Sequence, residues 1–283
     1  MKKYLLVICI CFQLNVFAQT GSEIILFDIS INAKGITLSN PVNITNHKGY
    51  DNQPFFYKTN IYYSSEDSNQ MDIKKYDYVQ KITTAVTHTQ DNEFSPTVTP
   101  DQKFISCILQ RKNGKQDLVK YPINGGEPTV LIDNLKVGYH AWIDNNSLLL
   151  FVLEDTSTNG LHYYNLATKE NKKLATDIGR SLQKIPRKQV VSFIKKTPGE
   201  WLIREYNAAT KKINTIMPTL HNSEFVAWTK QGLAIMSDGN DIYFAKQLNN
   251  NWQKIKMIGS PLKNISRLAI NEQNTKLAVV VAE

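Results

Sequence analysis

Cysteine is nearly absent from this chain. Three of its 283 residues are cysteine, and two of these, Cys9 and Cys11, sit in the first apolar stretch. Without that stretch Cys107 stands alone, and no intramolecular disulfide can form. A short exported domain needs such staples, whereas about 265 residues can bury a core that does without them. Cys107, flanked by Phe104, Ile105, Ile108 and Leu109, reads as a small buried hydrophobe on a strand. No stretch approaches the ~20 apolar residues of a spanning helix. No helical period of useful length interrupts the short strand-like segments. No dense basic block is present either. The net charge of +8 is spread over scattered lysines such as Lys112, Lys115, Lys120, Lys172 and Lys173. That pattern reads as a solvated basic surface and argues against nucleic acid as a partner.

The amino terminus has the parts of an export signal. Lys2 and Lys3 precede an apolar run from Tyr4 to Phe12, and Val16-Phe17-Ala18 offers small residues for cleavage before Gln19. Cys9 follows the bulky Ile8, which suits a lipid-attachment signal poorly. Residues 1–18 are therefore expected to be a cleaved signal and residues 19–283 a single domain, periplasmic or secreted, with no transmembrane segment.

What the chain does have is a repeat. Six segments align without gaps: Tyr50-Asp51-Asn52-Gln53-Pro54, Asn92-Glu93-Phe94-Ser95-Pro96, Gly138-Tyr139-His140-Ala141-Trp142, Gly179-Arg180-Ser181-Leu182-Gln183, Glu224-Phe225-Val226-Ala227-Trp228 and Ser266-Arg267-Leu268-Ala269-Ile270. Their last positions lie 42, 46, 41, 45 and 42 residues apart. Each segment leads into a polar turn, then an apolar strand, then a strand carrying an aromatic (Tyr76, Tyr121, Tyr164, Tyr206 or Phe244), then a weaker fourth strand. Four antiparallel strands per period of about forty residues describe propeller blades. The last repeat supplies only two strands. Residues 23–28, with Phe27 in the aromatic column, and residues 36–39 supply the missing pair. The prediction is an all-β, six-bladed β-propeller whose last blade is closed by strands from both termini, which also protects its edges.

Pro96 with Thr99-Pro100-Asp101-Gln102-Lys103, and the layout of the blades, resemble the TolB-like propeller repeat of bacterial exported proteins. The resemblance implies the fold. For function it implies scaffolds, peptide-binding modules or propellers attached to peptidases, and this chain carries no hydrolase domain.

The six segments should begin the innermost strands. With side chains alternating along each strand, Asp51, Glu93, Tyr139, Arg180, Phe225 and Arg267 are expected to ring the mouth of the axial channel. His140, Ser181 and Asn52 fall one step further along. Ring order sets Asp51 opposite Arg180 and Tyr139 opposite Arg267. Two readings of this ring compete. In one the charges pair across a narrow wet channel and hold the strand ends. In the other, two arginines, two acids and two aromatics bind a zwitterion, a peptide terminus or a sugar acid. The expected function is an exported, non-enzymatic, monomeric binding or scaffolding propeller for a protein, a peptide or a small polar ligand, with no cofactor. The alternative is a lactonase-like or peptidase-like hydrolase at the same mouth, with or without calcium, for which Asp51, Glu93, Asn52 and Glu224 could supply oxygens. Arg180 and Arg267 in the same ring oppose a divalent cation. Gly179-Arg180-Ser181-Leu182 is not a Gly-x-Ser-x-Gly elbow, so no catalytic residue is assigned.

Overall fold

The second strand of every repeat is buried along its length rather than on alternate residues. Phe104–Gln110, Ser147–Leu153 and Val190–Lys195 show this most clearly, with five or six consecutive buried positions each. A strand buried on both faces needs a neighbouring layer on each side. In a radial array the adjacent blades supply those layers.

The computed structural model describes residues 21–154, 158–247 and 251–283. Their strands form six small sheets and no helix. Blade 1 runs from Asp51–Tyr57 outward to Ile82–Ala85, blade 2 from Asn92–Val98 to Thr129–Ile132, and blade 3 from Val137–Trp142 to Asn171–Thr176. Blade 4 runs from Ile178–Lys184 to Lys212–Pro218, and blade 5 from the very short Ala227–Trp228 to Gln253–Lys254. Blade 6 is built from Ile265–Ile270, Lys276–Ala282, Ser22–Asn32 and Gly35–Asn43. Its second and third strands pair antiparallel, with Glu23 opposite Val281 and Phe27 opposite Leu277. The predicted closure by both ends is the observed one. Lys256–Met257 adds a short parallel fifth strand beside Thr37 and Leu38, which the repeat pattern does not announce. The expected signal at residues 1–18 lies outside the described residues.

Apolar packing follows the ring. Each of six clusters of buried residues spans two adjacent blades; one joins Tyr62 and Ile73 of blade 1 to Ile105, Cys107 and Tyr121 of blade 2. The aromatic column fills these interfaces, and Phe27, Tyr76, Tyr121, Tyr164, Tyr206 and Phe244 are all buried. Two interfaces also share a polar device. Trp142 Nε1 donates to Ser106 Oγ at 2.9 Å, and Trp228 Nε1 donates to Ser192 Oγ at 2.8 Å. In both cases the last residue of an inner strand is tied to the second strand of the preceding blade, so a buried indole N–H is satisfied.

Candidate functional site

The innermost strands enclose an axial cavity of about 300 Å³. Tyr139, His140, Arg180 and Arg267 line it, with Gln53, Ser95 and Gln183 among its other walls. Of the six residues expected to ring the mouth, four, Tyr139, Arg180, Phe225 and Arg267, meet as a cluster. The Arg267 guanidinium lies 4.0 Å from the Phe225 ring centre and 5.4 Å from that of Tyr139. Arg180 lies 5.5 Å from Phe225. Tyr139 and Arg267, opposite each other in ring order, do approach across the channel.

The two arginines have different electrostatic situations. Arg180 is committed: Nε and Nη2 donate to Glu224 Oε2 at 2.9 and 2.7 Å, and its backbone N–H donates to Oε1 at 3.0 Å. Lys196 adds a second cation to the same carboxylate at 2.9 Å. Burial pushes the Glu224 carboxyl up, but the hydrogen bonds from Arg180 and Lys196 outweigh it and hold the group at about 2. Arg267, by contrast, has no carboxylate and no hydrogen-bond acceptor among the described residues. Its only contacts of this kind are the two aromatic faces.

Asp51 and Glu93 do not face the channel, and the pairing of Asp51 with Arg180 that one of the two readings entailed does not form. Asp51 is fully buried, with His47 Nε2 at 3.0 Å, and burial raises its carboxyl to about 6. Glu93 is also fully buried. It accepts hydrogen bonds from Thr89 and Tyr121, the latter at 3.0 Å, and burial still raises it to about 7. The physical reason is a bulge in each strand. Gln53 and Ser95 adopt left-handed conformations, φ 60° and 55°, just before Pro54 and Pro96. The strand register shifts between Asn52 and Phe55 and between Phe94 and Thr97. A bulge breaks the two-residue alternation, so the acid upstream turns into the blade interface. Gln53 takes the inner position instead, and its Oε1 accepts from Ser64 Oγ at 2.9 Å and from the Ser95 N–H at 2.6 Å.

His140 borders the cavity but is engaged by a neighbouring strand, and Ser181 is engaged as well. His140 Nε2 lies 2.7 Å from Ser106 Oγ, while Nδ1 is buried without a partner among the described residues. Burial alone depresses this imidazole to about 3, so it is neutral. Ser181 Oγ accepts the Val226 N–H at 3.2 Å. The approach of Ser181, His140 and Glu93 that nucleophilic catalysis would need is therefore not made. Nor do the oxygens considered for calcium converge: Asp51 faces His47, Glu93 faces Tyr121, and Glu224 holds Arg180 and Lys196. Among the described residues no group of three or more His, Cys, Asp and Glu could hold a metal ion. Reading the sequence missed Glu224 as the partner of Arg180 and Lys196 as its second cation. The visible signal was an acid immediately before the aligned Phe225.

No family model and no curated protein matches this chain. Solved structures do. The fold is that of a six-bladed β-propeller, similar to the propellers of solved TolB structures. A TolB from Agrobacterium tumefaciens superposes with a TM-score of 0.71 at 12% identity, over 94% of this chain and 99% of that one. The TolB of Acinetobacter baumannii gives 0.58 at 12% identity; 92% of this chain is covered and 63% of that chain. An oligogalacturonate lyase in complex with manganese gives 0.60 at 11% identity, over 94% and 98%.

Proposed function

We propose that this chain is an exported, monomeric, non-enzymatic binding or scaffolding propeller. Its axial cavity takes a ligand bearing a carboxylate, either a peptide end or a small zwitterion. The observation that carries the reading is Arg267: a guanidinium on the cavity wall, flanked by Phe225 and Tyr139 and unpaired among the described residues. A planar fork of donors matches the two oxygens of a carboxylate, and the rings would pack against the rest of the ligand. Arg180 holds the wall in place through Glu224. The signal-like first eighteen residues support export.

A second reading, an enzyme at the same mouth, draws on the likeness to the oligogalacturonate lyase. A turnover assay with polygalacturonate tests it.

The binding reading is tested by thermal denaturation in the presence of amino acids, uronic acids and divalent ions. The same assay compares short peptides with free and amidated carboxyl ends. Compounds with a free carboxylate should raise the melting temperature, and amidation should abolish the effect. Stabilisation by amidated peptides or divalent ions alone would overturn it.

A further inference from the structure

Five cations far apart in sequence gather on one face of the ring. In an antiparallel blade the turn between the first and second strands and the turn between the third and fourth lie on the same face of the ring. In blade 4 the first of these turns carries Arg187 and Lys188. In blade 5 Lys230 lies in the corresponding turn, and Lys246 ends the third strand. In blade 6 Lys34 lies between Ser22–Asn32 and Gly35–Asn43.

These five cations border two surface grooves. One, of about 540 Å³ between blades 4 and 5, is lined by Arg187, Lys188, Lys230 and Lys246. The other, of about 330 Å³ between blades 5 and 6, is lined by Lys34 and Lys246. Leu233 and Lys246 belong to both, so the grooves adjoin, and neither wall includes a carboxylate. Arg187, Lys230, Lys246 and Lys34 have no ion-pair partner among the described residues; Lys188 donates to Gln247 Oε1 at 2.8 Å. Gln247 Nε2, in the first groove, is a buried donor with no partner among the described residues.

We infer that this track docks an extended acidic segment of a partner protein. Like charges gathered without counter-charges repel one another, and an anionic partner relieves that repulsion. A row of separated cations fits a chain of spaced carboxylates better than one compact anion. The composition of the first groove decides between polymers. Pro186 and Leu233 give it apolar walls but no aromatic platform, and Phe244, the aromatic residue of the adjoining groove, is buried. Bases of single-stranded nucleic acid bind by stacking on aromatic side chains. Apolar walls between cations instead suit a polypeptide that alternates acidic and apolar residues. This inference does not rest on the axial site.

The test uses the full chain and a fluorescein-labelled peptide of about ten alternating Glu and Leu residues, roughly 33 Å long when extended. Fluorescence anisotropy should show binding that weakens as salt is raised. The double substitution Lys230→Glu with Lys246→Glu should weaken it about tenfold or more. Arg187→Glu should act in the same direction, as a second variant on another blade. Lys48→Glu with Lys263→Glu changes net charge equally on the opposite face and should leave binding unchanged. Equal losses from both double variants would overturn the assignment. So would tighter binding of a DNA oligonucleotide or polygalacturonate than of the peptide, or no peptide binding at all.

Discussion

Arg267 and Phe225 come from different blades and meet beside the axial cavity, with the guanidinium 4.0 Å from the ring centre. The ring face attracts the cation but offers no hydrogen-bond acceptor, so the donors of the fork stay available. Arg180 touches the same ring at 5.5 Å, yet it is spent on Glu224. Two arginines that look equivalent in the repeat therefore have different roles.

Arg180→Ala should lower stability by about 2 kcal/mol, because it removes charge-assisted hydrogen bonds from a mostly buried carboxylate. Lys196 remains beside Glu224 and limits the loss, and the half-exposed Arg180 side chain keeps it modest. Arg267→Ala should cost only about 0.5–1 kcal/mol, the range for its aromatic contacts. Urea denaturation of both variants measures the difference.

Glu93 gives a pH signature. Its carboxyl is raised from 4.5 to about 7 in the folded chain, so the native state holds a proton that the unfolded chain releases in that interval. Stability from this group is full below about 4.5 and is lost as pH rises to about 7. The buried neutral His140 acts in the opposite sense: its contribution is full above 6.5 and is lost as pH falls to about 3. The informative quantity is thus the difference between Glu93→Gln and the parent. It should shift in favour of the variant by roughly 3 kcal/mol between these pH limits and then level off. A difference independent of pH would show that Glu93 stays ionised throughout.

The serine-to-indole bonds predict a matched pair. Ser106→Ala and Ser192→Ala each strand a buried tryptophan N–H and should each cost about 1–3 kcal/mol. Ser106→Ala should cost more, since His140 Nε2 loses its partner as well. Equal, negligible effects from thermal melts would mean that both indoles find other acceptors.

Ring closure predicts that the first described strand matters as much as any inner one. Ile24 is fully buried between blades 6 and 1. Ile24→Ala should cost about 2–4 kcal/mol, as for other large-to-small core changes. Hydrogen exchange should then show Lys276–Ala282, its pairing partner, losing protection ahead of the inner strands of blades 2 and 3.

The fold was legible because the strand pattern recurs at near-constant spacing, and because both termini carry half a repeat each. The cluster of Tyr139, Arg180, Phe225 and Arg267 was legible from the same alignment. Asp51 and Glu93 were not, since their direction depends on left-handed residues at Gln53 and Ser95 that no alternation rule foresees. The Arg180–Glu224 pair was hidden by a separation of 44 residues. The basic track was hidden for the same reason: Lys34 and Lys246 are distant in sequence, and only the closed ring makes them neighbours.

The most direct test of the carboxylate site is calorimetric titration with the best-stabilising free carboxylate, run on the parent, Arg267→Ala and Arg180→Ala. Arg267→Ala should lose about 1.5–3 kcal/mol of binding while staying folded. Arg180→Ala should bind nearly as well as the parent despite its lower melting temperature. Unchanged affinity in Arg267→Ala, with the loss appearing in Arg180→Ala instead, would contradict the assignment of Arg267 as the ligand's partner.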